Sequence, residues 1–206
     1  MTATRTESEA EDGRSRILGA ALDVFAAVGF EGASLRQIAD RAGVMHQLVV
    51  YHFKTKDALW RAAITALFDA AGPLAPRLAR LGALPPAEAL RASVRDLVYF
   101  TAAHPQFHRI TTFEGQADTP RFRWLVDTYV RPHFELSTGL IRKAQAAGAA
   151  RSGDPARLHY AIIGLVTTNL VFALEYRTIT GVDPFQRDEL ARIEALACEF
   201  LELPAA

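Results

Sequence analysis

The stretch from Ser34 to Asp57 constrains the fold of this chain more than any other part of the sequence. It predicts a short helix that begins with a capping box at Ser34 and Gln37, then a turn at Gly43. A second short helix follows and ends in aromatic and basic residues. This order is typical of a helix-turn-helix, in which the second helix lies in the major groove of DNA. The motif makes DNA recognition the leading hypothesis for the chain.

A longer helix is predicted before this motif, from about Arg14 to Val28, with Gly29 at its end. Its apolar residues recur at spacings of three and four, which gives the helix one face for burial. Those apolar residues are Ile17, Leu18, Ala21, Val24 and Phe25. We expect residues 14–55 to form the helix-turn-helix domain, preceded by a disordered acidic tail over residues 1–13.

The remaining residues, 56–206, are expected to form one larger helical domain. Alanine, leucine and arginine are abundant and favour helix, whereas β-branched runs and strict alternation are scarce. Several helix starts are marked by a capping residue and a proline, whose missing N–H costs nothing at the first helical position. These starts are Thr119-Pro120, Asp154-Pro155 and Asp183-Pro184. The chain is therefore predicted to be all-α, with about nine helices.

The composition narrows the class of protein further. The formal net charge is zero, which neither supports nor opposes a nucleic-acid partner. The single cysteine, Cys198, rules out an intrachain disulfide. The longest apolar run, residues 161–174, is interrupted by polar side chains and is shorter than the roughly 20 apolar residues of a membrane span. Because the polar N-terminus also lacks the apolar segment of a signal peptide, we expect a cytoplasmic protein without a membrane partner.

We expect the second helix of the motif to bury one face against the other helices and to present the opposite face to DNA. Val44, Leu48 or Val49, and Phe53 are expected to supply the back. On the other face, the amide of Gln47 suits adenine, and Met45 and Val50 suit thymine methyl groups. The full set of predicted DNA contacts, to bases and to phosphates, is Ser34, Arg36, Met45, His46, Gln47, Val50, Tyr51, His52, Lys54 and Lys56.

The motif carries little excess charge. Between residues 14 and 60, six lysines and arginines stand against four carboxylates, a net charge of +2. Each phosphate that a protein neutralises adds to its affinity for DNA. We therefore expect one such unit to bind weakly and two paired units to be needed for selective binding to double-stranded operator DNA.

The residues quoted so far resemble a known family. Ala42-Gly43-Val44, followed by Tyr51-His-Phe-Lys-Thr-Lys-Asp-Ala-Leu59, is similar to the signature of TetR-type transcriptional regulators. The resemblance covers roughly residues 14–60 and includes Ile17-Leu18, Phe25, Gly29, Gly32-Ala-Ser34 and Ile38-Ala39. One departure is Met45, where the family usually has serine or threonine. Methionine cannot cap a helix, so this helix loses about 1 kcal/mol of local stability.

The resemblance implies what the larger domain does. In this family the C-terminal helices form a homodimer and enclose a pocket for a small-molecule effector. The expected function is therefore a ligand-responsive repressor, which binds a palindromic operator as a homodimer and is released by a small, mainly apolar ligand. No cofactor is expected.

A pocket of this kind needs aromatic bulk and isolated polar groups, which the middle of the chain provides. The candidate ligand-binding residues are Phe100, His104, Phe107, His108, Thr111, Phe113, Trp124, Tyr129, Thr168, Asn169 and Phe172. The alternative is that these residues form an ordinary core.

The last two predicted helices are strongly apolar, and packed against a second copy they would form a four-helix bundle. The candidate interface residues are Ile162, Leu165, Val166, Ala173, Leu190, Ile193, Ala197 and Phe200. The alternative is that these residues bury against the core of their own subunit.

Two other functions remain as alternatives, a small-molecule enzyme in a helical fold and a helical adaptor for another protein. The sequence has no Gly-x-Gly-x-x-Gly, no Walker pattern and no His-Glu-x-x-His, so no catalytic residue is predicted. His104 and His108 have the spacing of a helical metal pair, but Pro105 lies between them and further ligands are missing. We therefore predict neither an enzyme nor a metal site.

Overall fold

A computed structural model describes residues 3–70, 72 and 74–204 of the chain. These residues form helices and connections without a strand, which confirms the all-α class. The α-helices are α1 (Ala3–Gly32), α2 (Leu35–Ala42), α3 (His46–Phe53), α4 (Lys56–Ala70), α5 (Leu74–Gly82), α6 (Pro86–Ala103), α7 (Pro105–Glu114), α8 (Pro120–Leu125), α9 (Arg131–Ala146), α10 (Pro155–Val171), α11 (Ala173–Thr180) and α12 (Arg187–Phe200). A π-helical turn, Val126–Val130, joins α8 to α9.

The described residues contain more helices than the expected nine, because two predicted helices are interrupted and α5 was not predicted. The helix predicted to follow Pro120 is divided by the π-helical turn. The helix predicted to follow Pro155 bends by 70° at Phe172, where α10 ends and α11 begins. The hydroxyl of Thr168 donates to the carbonyl of Gly164 at 2.6 Å just before the bend. Such bonds back along a helix weaken its own ladder and favour bending.

Two predicted boundaries differ from the structure. Helix α1 begins at Ala3, so residues 3–13 are helical where a disordered tail was expected, while residues 1 and 2 lie outside the described residues. Alanine and glutamate in this segment have high helix propensity, which polarity alone conceals. The last helix begins at Arg187 rather than at Pro184. Instead of capping a helix, the Asp183 carboxylate accepts from the amide of Phe185 in a turn.

The described residues divide into two compact units. The first unit contains the described residues up to Gly72 together with Arg109–Phe122. The second unit contains residues 74–108 and the described residues from Arg123 onward. The sequence-based division after residue 55 separates α4 from the helices that it packs against, α1 and α3. The division within α7, between His108 and Arg109, has no counterpart in the sequence pattern.

The first unit is built on the predicted apolar face of α1. Ile17, Ala21 and Phe25 are at most 1% exposed. They pack with Ile38 of α2 and Trp60 of α4, which are completely buried. This core holds α2 and α3 on one side of α1 and leaves the outer face of α3 in solvent.

The second unit has a core shared by α6, α9, α10 and α12. Val98, Ile141, Val166 and Ala197 contribute one side chain from each helix, and all four are completely buried. Cys198 is also buried in this cluster, and burial raises the pKa of its thiol. Among the described residues, no single helix has both the length and the apolar composition needed to cross a membrane.

Candidate DNA-binding surface and ligand site

The turn between α2 and α3 is fixed by the expected capping residues and by one arginine that the sequence did not reveal. Ser34 Oγ accepts from the amide of Gln37 at 3.1 Å. Gly43 has φ 64° and ψ 40°, a left-handed conformation that favours glycine. Arg16 of α1 donates to the carbonyls of Ala42 at 2.7 Å and Gly43 at 2.8 Å. A cation at the C-terminal end of α2 also complements the helix dipole.

Helix α3 has the two faces that the sequence predicts. Val49 and Phe53 are buried, at 0% and 6% exposure, and anchor the helix to the unit. Met45 caps the helix without a side-chain hydrogen bond, as its chemistry requires. The predicted DNA contacts that lie exposed are Ser34, Arg36, Met45, His46, Gln47, Val50, Tyr51 and Lys54. Met45 and Tyr51 are each 78% exposed, so they project well beyond the surface.

Lys54 follows α3 in an unusual backbone conformation. Its φ of 58° and ψ of −46° place a residue with a side chain where glycine is favoured. The amide of Thr55 donates to the carbonyl of Phe53 at 2.6 Å, which closes a γ-turn around Lys54. Thr55 then caps α4, since its Oγ1 accepts from the amide of Ala58 at 3.1 Å. The turn directs the chain from α3 into α4 while Lys54 stays exposed.

Lys56 does not have the role predicted for it. Its ammonium donates to the carbonyls of Phe30 at 2.7 Å and Ala33 at 2.9 Å, and lies 4.4 Å from the centre of the Phe30 ring. These contacts tie the start of α4 to the end of α1 and direct the charge into the protein. In this structure Lys56 therefore belongs to the frame of the unit and not to its exposed surface.

His52 is only partly available to DNA. Its side chain is half-buried, and its ring lies against the rings of Tyr51 at 5.2 Å and Phe53 at 5.9 Å. Its Nε2 atom is enclosed and has no hydrogen-bond partner among the described residues. This nitrogen cannot reach a phosphate in the present arrangement.

A buried ion pair lies in the first unit, between the end of α7 and the start of α8. Arg121 Nε donates to both carboxylate oxygens of Glu114 at 2.9 Å. The Glu114 side chain is 3% exposed, and the Arg121 side chain is 14% exposed. The guanidinium lies 3.6 Å from the centre of the Phe30 ring and 5.7 Å from that of Trp60. Segment 109–122 is therefore fastened to α1 and α4.

Four of the candidate ligand residues come together in the second unit, where α6 meets α7. The ring of Phe100 lies 5.2 Å from that of His104 and 5.9 Å from that of Phe107. His108 Nε2 is 3.1 Å from the hydroxyl of Thr101, which is completely buried. Burial lowers the pKa of His104, and it lowers the pKa of His108 to about 4. Both imidazoles are therefore neutral at neutral pH.

The other candidate ligand residues are dispersed. Trp124 and Tyr129 form an edge-to-face pair in the second unit at 5.6 Å. Thr111 and Phe113 belong to the first unit. In α10, Asn169 is half-buried, whereas Thr168 is exposed with its hydroxyl bonded to its own helix. Phe172, at the end of the same helix, is 57% exposed and does not line an interior.

Two further histidines in the second unit were missed by the sequence analysis. His133 of α9 and His159 of α10 have ring centres 5.7 Å apart, and the Phe134 ring lies 5.1 Å from that of His159. Burial lowers the pKa of both imidazoles, that of His133 to about 4. Neither histidine has a motif around it, so only the packing of α9 against α10 reveals the pair.

The residues proposed for the dimer interface lie mostly inside the subunit. Six of the eight are buried within a single chain, which is the alternative left open above. These six are Ile162, Val166, Ala173, Leu190, Ile193 and Ala197. Leu165 and Phe200 are half-buried. One exposed side of α10 and its C-cap instead has a spacing of four residues, with Tyr160, Gly164, Thr168 and Phe172, and Arg157 in the first turn is also exposed.

In the part of the chain that the structure describes, no three His, Cys, Asp or Glu side chains are placed to hold a metal ion. His104 and His108 also differ in position, since His104 ends α6 and His108 lies within α7.

Two family models match the sequence of this chain, one in the N-terminal part and one in the C-terminal part. Residues 17–63 match the model of bacterial regulatory proteins of the tetR family. Residues 86–201 match the model of a tetracyclin repressor-like C-terminal domain. The second match alone covers more than half of the chain and includes α6 through α12.

Individual relatives match most of the length of this chain. The HTH-type transcriptional regulator RutR of Escherichia coli is 29% identical over 177 residues, which are 86% of this chain and 82% of RutR. The HTH-type transcriptional regulator Mb3439c of Mycobacterium bovis is 31% identical over 180 residues, 87% of this chain and 84% of that protein. These relatives are regulators, so the enzyme alternative has no support at the level of the family.

Solved structures share the fold at lower identity. A linker variant of HlyIIR has a TM-score of 0.72 at 22% identity and covers 94% of this chain and 98% of its own. AibR, solved with isovaleryl coenzyme A and operator DNA, has a TM-score of 0.69 at 17% identity. The match covers 93% of this chain and 100% of the AibR chain. The two family matches, the relatives and the exposed recognition helix lead to one assignment: the chain belongs to the TetR family of DNA-binding transcriptional regulators.

Proposed function

We propose that this chain is a ligand-responsive repressor that binds a palindromic operator as a homodimer and leaves it when a small ligand binds. The observation that carries the proposal is the outer face of α3. Met45, His46, Gln47 and Val50 are exposed there, while Val49 and Phe53 anchor the helix from behind. A rigid helix with polar and small side chains facing solvent suits the major groove.

The contacts to the DNA backbone come from a smaller set than the sequence suggested. Arg16, Arg41 and Lys56 are used within the unit, because Arg41 pairs with Asp23 at 2.7 Å and the other two bind carbonyls. Arg36 and Lys54 make no ion pair within the described residues and remain for phosphates. A single unit with so few available cations binds weakly, which supports binding as a pair.

The proposed pairing surface is the exposed side of α10. Tyr160, Gly164, Thr168 and Phe172 form one stripe, and Tyr160 and Phe172 are 65% and 57% exposed. A stripe with large apolar ends and small residues at its centre allows two helices to approach closely. A second copy of the chain would use the same stripe, as twofold symmetry requires.

The proposed route from ligand to DNA runs along α7. The first part of this helix, with Phe107 and His108, belongs to the second unit, and its last part belongs to the first. There, Glu114 holds Arg121 against the rings of Phe30 in α1 and Trp60 in α4. A ligand that displaces the start of α7 would act on α4, and α4 follows the recognition helix directly. Ligand binding then shifts the population toward a form that does not fit the operator.

Gel retardation of the DNA upstream of the gene for this protein tests the proposal. The ligand-free protein is expected to give a discrete complex at low salt, and Gln47→Ala is expected to weaken it by about 1–3 kcal/mol, the usual value of one base contact. Glu135→Ala, an exposed residue of the second unit, is the matched control and should bind as the wild type does. The absence of a complex at low salt would contradict the proposal.

A further inference from the structure

A short segment of α1 contacts the recognition helix and the turn before it at three points. Gly13 approaches the middle of α3, since a Cβ atom at Gly13 would lie 3.3 Å from Leu48 Cδ2. The guanidinium of Arg14 lies 5.7 Å from the centre of the Phe53 ring, at the end of α3. Arg16 donates to carbonyls of the turn that precedes α3. We call Gly13, Arg14 and Arg16 the α1 cradle.

Arg16 holds the turn with a fork of donors. Its Nη2 atom donates to the carbonyls of Ala42 at 2.7 Å and Gly43 at 2.8 Å, and its Nε atom donates to the Ala42 carbonyl at 3.2 Å. A Cβ atom at Gly43 would lie 3.3 Å from Nη2, so a side chain there would crowd the guanidinium. Val44 and Met45 carry the chain from these carbonyls into α3. The direction in which α3 leaves the turn is therefore tied to α1.

The close approach to α3 explains a glycine inside α1. In a helix interior, glycine is less favourable than any residue except proline. Gly13 is buried, and Leu48 of α3 lies where its side chain would begin. Gly19, later in α1, is exposed and has nothing within 4 Å of its Cβ position. Of these two glycines, Gly13 therefore sets the distance between α1 and α3.

The α1 cradle contacts α3 away from the face that reads DNA. Leu48 is half-buried and Phe53 is buried, whereas Gln47 and Val50 are exposed. A contact to a base edge requires its atoms within about 0.5 Å of the productive position. A small displacement of α3 from behind is therefore sufficient to misplace its base contacts.

We propose that the α1 cradle fixes the orientation of α3 and thereby sets the selectivity of this protein among DNA sequences. Its members are positioning residues, because they act through α3 and not on the bases. The inference requires that α3 reads DNA, and it is independent of release by a ligand. Phosphate contacts from long, flexible side chains adapt to a displaced helix, whereas base contacts do not. Loss of the α1 cradle is therefore expected to reduce discrimination between sequences more than affinity for DNA in general.

Fluorescence anisotropy with two duplexes tests this inference. One duplex is enriched from a random pool by the wild-type protein, and the other has the same length and composition but a shuffled sequence. Gly13→Leu is expected to lower the preference for the enriched duplex at least about tenfold, the value of one base contact. Its affinity for the shuffled duplex and the salt dependence of binding should stay as in the wild type, because the charges are unchanged. Gly19→Leu places the same side chain at an open site of α1 and should keep the preference.

A compensating substitution and a charge-conserving one sharpen the test. Leu48→Ala opens space opposite Gly13, so adding it to Gly13→Leu is expected to recover most of the lost preference. Arg16→Lys keeps the positive charge but loses the fork of donors that holds two carbonyls. This variant should also lose preference for the enriched duplex while the salt dependence is unchanged.

Hydrogen exchange of the DNA-free protein shows which element moves. In Gly13→Leu and Arg16→Lys, the amides of α3 are expected to exchange faster than in the wild type, while those of α4 keep their rates. Leucine has a higher helix propensity than glycine, so α1 itself is not weakened by the first of these substitutions.

The outcomes separate this inference from the proposed function. A Gly13→Leu protein with the full preference, equally faster exchange in α3 and α4, or a wild type that enriches no duplex would each overturn the role of the α1 cradle. Failure of the wild type to retard the DNA upstream of its own gene would instead contradict the proposed function. The α1 cradle is then still decided by the enriched duplex.

Discussion

At the scale of single residues, Lys54 combines a strained backbone with a proposed phosphate contact. A residue with a side chain in this conformation costs about 1–3 kcal/mol, most of which glycine avoids. Lys54→Gly is therefore expected to raise the free energy of unfolding by about 1 kcal/mol, measured by urea denaturation. The same variant should lose operator affinity and lower the salt dependence of binding by about one unit, because one phosphate contact is gone.

Lys54→Ala is the matched control for this prediction. It removes the same charge but keeps a Cβ atom, so it should lose the same operator affinity without gaining stability. A Lys54→Gly protein that is less stable than Lys54→Ala would show that the γ-turn is not strained.

The Glu114–Arg121 pair gives a second prediction at this scale. Removing one partner leaves an uncompensated buried charge, so Glu114→Gln is expected to destabilise the protein by about 3 kcal/mol. Arg131→Gln is the control, because both side chains of the Arg131–Asp127 pair are exposed. Exposed ion pairs contribute at most about 1 kcal/mol. Thermal unfolding of the two variants measures the difference, and similar losses would contradict the structural role given to Glu114.

At the scale of single elements, α10 carries the proposed pairing surface. No atom outside the helix backbone lies within 4 Å of the position that a Cβ atom would occupy at Gly164. Gly164→Arg is therefore tolerated within the subunit and raises helix propensity. In a dimer packed through this stripe, the same side chain has no room. We expect Gly164→Arg to be monomeric by light scattering and to bind the operator poorly.

Gly139→Arg is the control for the pairing surface. Gly139 lies inside α9 and also has nothing within 4 Å of its Cβ position, so the same substitution is made at a comparable helical site. This variant should remain dimeric. A Gly164→Arg protein with the mass of a dimer would exclude the exposed side of α10 as the interface.

The elements also show how far the sequence alone determines the structure. The helix-turn-helix was predicted closely, because Ser34 and Gly43 act locally through capping and a left-handed turn. Lys56 was misassigned, since a lysine that binds backbone carbonyls has the same local sequence as one that binds phosphate. Arg16, His133 and His159 were missed because their partners lie on other helices, and no periodic pattern encodes such meetings.

The apolar faces of α10 and α12 illustrate the same limit. Their periodicity correctly indicated burial of Ile162 and Val166, but it does not distinguish burial within the subunit from burial against a second copy. The stripe with Gly164 and Thr168 is too polar to be recognised as an interface from its sequence. Only the packing of α10 within the subunit shows which side of the helix remains exposed to solvent.

At the scale of the whole molecule, the neutral buried histidines make stability depend on pH. His108 and His133 have a pKa of about 4 in the folded protein, below the value of 6.5 expected when unfolded. The unfolded chain therefore binds more protons between these values, and stability rises with pH there. We expect the free energy of unfolding of the ligand-free protein to fall by about 1.4 kcal/mol per pH unit for each histidine as the pH drops from 6.5 toward 5.

Urea denaturation at several pH values measures this dependence. His133→Asn should reduce the slope, and His46→Asn, on the exposed face of α3, should leave it unchanged. A stability that is flat between pH 6.5 and pH 5 would contradict the burial of neutral imidazoles.

The central claim for the whole molecule is that two copies of α3 read one operator. Hydroxyl-radical footprinting of the wild-type protein on the DNA upstream of its own gene tests this claim most directly. We expect two protected segments on one face of the duplex, with centres about 34 Å apart, and loss of both in Gln47→Ala. Uniform protection along the DNA, or a footprint that Gln47→Ala leaves unchanged, would contradict it.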